Sequence, residues 1–392
     1  MKRNQREKQD VASKTVAQQD SSLNTWANRF LYALTIVLCA VGAVGWSALS
    51  RNIYGIIQLP EGSNTSTAVA SNRNKPMIFI GGMPRSGTTL MRAILDVHSK
   101  VRCGEETYVV PIILGVRDSW YQEPTFESEL KKWSNGKVTK DVIDSAFAAF
   151  LYEIISGHGT AADVMCNKDP MSMHSAHYLS VLFPNAKFIH LVRDGRAVVH
   201  SIMSRKLPVA NLIITDYVDC LAKWNAANRL MLEQCILVGP SRCMVVYYEQ
   251  LVLDTAAWLR QICDFLGLQY EDSMLEHEKY IGRLDGVPVS PVEFTSSQVV
   301  QQINSKPLSK WVGKVPAEFR QQIQLFAPML QVLGYNPHVH NVADYEYALN
   351  CSPSADSSCN STAKPSNRAT WFEKSKLVFR NRFKPDSVKF SF

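Results

Sequence analysis

The chain has 392 residues, is 46% hydrophobic and 20% charged, and carries a formal charge of +7, so one large or two small globular domains with tails fit it. The excess charge sits at the ends: residues 1–29 hold six Lys or Arg against three acidic residues, and residues 364–392 hold eight against two. The body between them is left near −2, which excludes a nucleic-acid groove as the reason for the basicity and confines any anion site to a local cluster.

Residues 1–29 form a polar, basic tail. Phe30 to Leu49 follows as twenty residues without a charge, reaching about 30 Å as a helix, enough to span a bilayer core. A cleavable signal peptide would lie nearer the N-terminus, so 30–49 is expected to be a transmembrane signal anchor. Cations crowd its N-terminal side, which places 1–29 in the cytosol and the remainder in a lumen. Residues 50–75, rich in Ser, Thr and Asn, read as a stem. Asn64 and Asn360 each open a glycosylation sequon, in keeping with that topology.

From Pro76 short apolar runs alternate with amphipathic segments. Met77–Ile80, Lys187–Val192 and Cys243–Tyr247 predict buried strands. Thr88–His98, Val138–Ser156, Arg196–Arg205, Thr215–Cys235 and Thr255–Leu266 predict helices. The alternation predicts an α/β fold over 76–347 with a central, mainly parallel sheet flanked by helices. Residues 348–392, Ser-rich and then basic, predict a C-terminal tail. Nine cysteines occur, Cys39 inside the apolar run; Cys235 and Cys243 flank a short turn and suit a loop clasp, while Cys220 and Cys263 fit buried thiols.

The segment Gly81-Gly82-Met83-Pro84-Arg85-Ser86-Gly87-Thr88-Thr89 joins the first strand to a helix, the setting of a phosphate-binding loop. Thr88 stands where a nucleoside-triphosphatase carries its Lys, which disfavours that activity. Arg85 supplies the cation instead. A phosphosulfate nucleotide suits such a loop and demands no lysine–magnesium pair, so no metal is expected. A second anion site is predicted at Arg193, at a strand tip, with Ser201 and Arg205 four apart on the next helix.

Several blocks in order, PRSGTTLMRAILDVH (84–98), RCGEET (102–107), CNKDP (166–170), LFPNAKFIHLVRDGRAVVHSIMSRK (182–206), YYEQLVL (247–253) and LSKWVGKVP (308–316), resemble the protein-tyrosine sulfotransferases. The resemblance implies a P-loop nucleotide-kinase-like sulfotransferase fold. It implies 3′-phosphoadenosine 5′-phosphosulfate as donor, with adenosine 3′,5′-bisphosphate as product. The implied acceptors are tyrosines in acidic stretches of secretory proteins. A single-pass Golgi anchor with a lumenal catalytic domain and a homodimer are implied as well.

Carried over by position, Arg85, Ser86, Gly87, Thr88 and Thr89 hold the 5′-phosphosulfate, and Arg193, Ser201 and Arg205 the 3′-phosphate. Tyr248, the segment from Thr295 to Asn304, and Lys310 complete the nucleotide pocket. Glu106 is implied as catalytic base, with Lys168, Arg85 and Thr295 stabilising charge. Arg102, Tyr108 and Ile112 are the candidate acceptor contacts. Disulfides Cys103–Cys166 and Cys235–Cys243 are implied, and Cys351–Cys359 is a third candidate. On chemistry alone Glu105 rivals Glu106, and Glu106 could instead pair with Arg102. Tyr108 and Ile112 stand where the family places arginines, and Phe294 where it places a basic residue. Two alternatives therefore stay open: a Golgi carbohydrate sulfotransferase, and a lumenal donor-binding homologue without turnover.

Overall fold

A computed structural model describes residues 72–209, 212–283, 286–290 and 299–342. The predicted tail 1–29, anchor 30–49, most of the stem, both sequons, Thr295, Cys351, Cys359 and the tail 348–392 lie outside the described residues. Among the described residues no helix is long and apolar enough to cross a membrane.

The first strand, β1 (Met77–Gly82), is buried along its whole length, as a strand covered on both faces must be. It leads through a short loop into α1 (Thr88–Asp96). β2 (Val101–Arg102), α2 (Val109–Gln122), α3 (Phe126–Asn135) and α4 (Lys140–Ser156) precede β3 (Val164–Lys168). A 3₁₀ turn over Pro170–Ser175 and α5 (Ala176–Leu182) lead to β4 (Lys187–Val192), then α6 (Gly195–Ser204) and α7 (Tyr217–Val238). β5 (Cys243–Tyr247), α8 (Tyr248–Leu253) and α9 (Thr255–Leu266) follow, and the described part closes with the short helices α10 (Lys306–Ser309), α11 (Ile323–Phe326) and α12 (Met329–Val332).

The strands form one parallel sheet in the order β2-β3-β1-β4-β5. Side chains alternate between its faces: Met77, Phe79 and Phe188 join one core cluster, while Ile78, Ile80 and Ile189 join another on the opposite side. The chain leaves β1 toward β2 and β3, and β4 toward β5, so the carboxyl ends of β1 and β4 flank a topological switch point. Open parallel sheets bind ligands in that crevice.

The predicted strands at 187–192 and 243–247 have the observed limits. Helix starts shift where a cap decides them. α4 begins at Lys140 because the Thr139 hydroxyl accepts from Val142 N–H. α7 begins at Tyr217 because Asp216 accepts from the N–H groups of Val218 and Asp219. α1 ends at Asp96, short of the expected His98. Asp194 caps α6, and Arg193 and Arg196 are buried, so this segment is no solvated surface helix. β2, β3, α2 and α3 were not anticipated. In β3 the polar residues Asn167 and Lys168 conceal a strand that is nonetheless buried. Both expected disulfides are present, and Cys220 and Cys263 are buried thiols.

Candidate active site

Beyond β1 the backbone bends sharply. Ser86 N–H donates to Met83 O at 3.0 Å, and Arg85 and Gly87 adopt left-handed φ of 79° and 101°. A β-carbon on Gly87 would lie 2.5 Å from the Tyr248 ring, so glycine lets the aromatic face pack against the loop. Thr88 and Thr89 are buried in the first turn of α1. The buried Ser86 Oγ finds no hydrogen-bond partner among the described residues. A hydroxyl without a protein partner at a helix N-terminus suits an anion.

Arg85, Arg193 and Arg205 converge from three segments. Arg85 Nε donates to Ser201 Oγ at 3.1 Å and Arg205 donates to the same oxygen at 2.9 Å. Arg193 donates to Arg85 O at 2.9 Å and to Pro307 O at 3.0 Å, and its guanidinium lies 4.4 Å from the Tyr248 ring centroid. Burial, with Arg205 and Arg193 alongside, lowers Arg85 to about 10, which leaves it charged at neutral pH. Burial first, then Lys314 and Arg205, lower His200.

These residues line a cleft of about 660 Å³, with Thr88, Thr89 and Tyr248 on one side and the segment 301–304, Lys306 and Lys310 on another. Among the described residues no Asp or Glu lines it. Arg193, Ser201, Arg205, Tyr248, Asn304 and Lys310 are thus brought together in one cleft. His200, Ser204, Lys306 and Trp311 were missed. His200 and Ser204 were within reach, since Ala197, His200/Ser201 and Ser204/Arg205 recur at the spacing of one helix face. Trp311, stacked with Arg196 at 4.3 Å, gave no sequence signal.

At the end of β3 the side chain of Lys168 is fully buried. Its Nζ lies 2.5 Å from Glu106 Oε1 and 3.4 Å from Thr89 Oγ1. Glu106 is therefore joined through Lys168 to the cleft. The segment bearing it is fastened several times over: Asp169 accepts from Thr107 Oγ1 at 2.5 Å and from Tyr108 N at 3.0 Å. Cys103 is disulfide-bonded to Cys166, and the Cys103 N–H donates to Asp96 at 2.6 Å. Glu105 instead faces His158, 3.7 Å away. Arg102 does not pair with Glu106; it donates to Thr160 Oγ1 and Gly286 O and lies 3.9 Å from Asp96. Tyr108 and Ile112 are exposed at the start of α2. Among the described residues no cluster of His, Cys, Asp or Glu is placed to hold a metal.

A family model for the sulfotransferase family matches residues 76–272. The chain is 46% identical over 309 residues to a protein-tyrosine sulfotransferase of Drosophila melanogaster, covering 79% of this chain and 60% of that protein. It is 48% identical to protein-tyrosine sulfotransferase 1 of Danio rerio, covering 72% of this chain and 78% of that one. With protein-tyrosine sulfotransferase 1 of Homo sapiens the identity is 49%, over 69% and 72% of the respective chains.

Proposed function

Because the chain belongs to the protein-tyrosine sulfotransferase family, we propose that it transfers a sulfuryl group from 3′-phosphoadenosine 5′-phosphosulfate to tyrosine hydroxyls of secretory-pathway proteins. The observation that carries this reading is the line from Glu106 through Lys168 to Thr89, which ends in a cationic cleft with no Asp or Glu among its described lining residues.

The donor supplies a sulfuryl group on a mixed anhydride with the 5′-phosphate. Backbone N–H groups of the 82–89 loop, the Ser86 and Thr88 hydroxyls and Arg85 hold that end. Arg193, Ser201 and Arg205 take the 3′-phosphate, and the Tyr248 ring closes the wall between the two groups. Thr295 and Asn304 belong to the same pocket in this reading. Glu106 accepts the phenolic proton as the tyrosine oxygen bonds to sulfur and the bond from sulfur to the 5′-phosphate oxygen breaks. A phenol, with a reference pKa near 10, needs such a base only as its oxygen loses electron density in the displacement. Lys168 and Arg85 offset the negative charge gathering on the departing oxygen, with no metal required.

We place the catalytic domain, residues 76–347, in the Golgi lumen behind the 30–49 anchor, with the 50–75 stem between them, and we take it to work as a homodimer. Protection of the body from protease in intact microsomes, with a glycosidase-sensitive mass at Asn64 or Asn360, is the expected outcome; digestion of the body would reverse the topology.

The deciding experiment offers labelled donor and the full chain in detergent a panel of tyrosine peptides and of glycans. Label on tyrosine, lost in Glu106→Ala, supports the proposal. Label on a glycan replaces it with a carbohydrate sulfotransferase, and nucleotide affinity without any transfer replaces it with a binding protein.

A further inference from the structure

The outward face of α2 is an apolar stripe. Val110 and Leu114 are buried against the core, whereas Tyr108, Ile112, Val116 and Trp120 are 49%, 64%, 42% and 44% exposed. Successive members lie four residues apart, each about 40° further round the helix, and at 1.5 Å per residue the stripe runs about 18 Å. It starts beside Glu106. Tyr108 takes a left-handed φ of 56°, unusual for a bulky residue, and its N–H is pinned to Asp169. The first side chain of the stripe is thereby set two residues from the proposed base by a fastened backbone.

Among the described residues, the cations on the helix and flanking the start of the stripe are engaged within the protein. Arg117, on the same helix, lies 3.8 Å and 3.9 Å from the ring centroids of Tyr121 and Tyr178 and donates to Asp118. Arg102 and Lys168 are engaged as described above, and Glu105 adds a negative charge where the stripe begins. Apolar side chains laid here would bury exposed hydrocarbon, worth about 25 cal/mol per Å².

The spacing selects the shape of the occupant. Four helical residues advance about 6 Å, and an extended chain repeats its same-side positions every 6–7 Å or so. Successive outward residues of α2 can thus meet alternate residues of an extended strand. We propose that this face of α2 docks the acceptor, an extended tyrosine-bearing segment with apolar or aromatic side chains at alternate positions, and that Tyr108 and Ile112 set this preference over acidic flanks. The inference rests on the reading of Glu106 as base.

Three peptides decide it, identical except at the positions two and four residues either side of one tyrosine, which carry Val or Leu, Glu, or Ser. With the full chain in detergent and saturating donor, kcat/KM should be about tenfold higher on the apolar than on the acidic peptide. Ile112→Arg should reverse that order, with binding of adenosine 3′,5′-bisphosphate reporting that the variant is folded. Equal rates, or a preference of the unaltered chain for the acidic peptide, overturn the docking face while leaving tyrosine transfer intact. Failure to sulfate any of the three, with nucleotide still bound, overturns the proposed function instead.

Discussion

Glu106 meets a cation that water cannot reach: the Lys168 side chain is 0% exposed and that of Glu106 16%. The pair orients the carboxylate, whose side chain keeps some contact with solvent. Glu106→Gln keeps the shape and removes the proposed base, so turnover should fall by about 10² to 10⁴, with the affinity for adenosine 3′,5′-bisphosphate unchanged by calorimetry. A comparable loss in affinity would mean that Glu106 supports the cleft rather than the chemistry. Only the resemblance singled out this residue, because Glu105 beside it has the same chemistry. What separates the two carboxylates is the burial of Lys168 at the end of β3, a strand that the sequence pattern did not display.

Glu249 had no sequence signal at all, because a carboxylate's neighbours come from distant segments. It is fully buried, accepts from Asp194 N–H at 3.0 Å and from Tyr335 Oη at 2.8 Å, and is raised by burial to about 7. Its folded value exceeds the ordinary carboxylate value, so the stability it contributes is complete below about 4.5 and is lost as pH rises toward about 7. Glu249→Gln removes that titration. The Tm of the unaltered chain should therefore gain more than that of the variant when pH falls from about 7.5 to 5; parallel Tm profiles would refute the assignment.

At the scale of elements, the turn from β1 into α1 was legible because phosphate cradles need glycine and hydroxyl residues in fixed places. Gly87→Ala places a β-carbon against the Tyr248 ring at a φ of 101°, and should cost about 1–3 kcal/mol of stability and weaken nucleotide binding. Denaturant unfolding and calorimetry measure the two effects; a fully stable, tight-binding variant would mean the loop can rearrange. The Cys103–Cys166 bridge ties α1 and β2 to β3 across 63 residues of sequence. Replacing both cysteines by serine should cost about 2–4 kcal/mol and lower turnover more than nucleotide affinity, since the bridge positions the Glu106 segment rather than the cleft. The apolar strands β1, β4 and β5 were readable, as was the helix spacing. β3 and α2 were not: one hides polar groups that are satisfied only by tertiary partners, and the other turns apolar residues toward solvent.

Over the whole molecule, charge separates into basic ends, a slightly acidic body and a cleft that gathers Arg85, Arg193, Arg205, Lys306 and Lys310. A body near −2 offers little long-range steering to an anion, so attraction for the proposed nucleotide donor must arise within about one Debye length, near 10 Å at 0.1 M salt. The contributing cations differ in how salt should affect them. Arg193 is 7% exposed and holds the Arg85 carbonyl, whereas Lys306 is exposed. Screening is weak for the first and strong for the second. Arg193→Ala should therefore lower affinity for adenosine 3′,5′-bisphosphate by a similar factor at about 0.05 and 0.5 M salt, while the loss from Lys306→Ala should shrink toward nothing at the higher value. Calorimetry of the two variants across that range tests the distinction. If the Arg193 effect faded with salt as the Lys306 effect is expected to, Arg193 would be acting as a solvated charge, and the buried anchoring of the 3′-phosphate side would have to be abandoned.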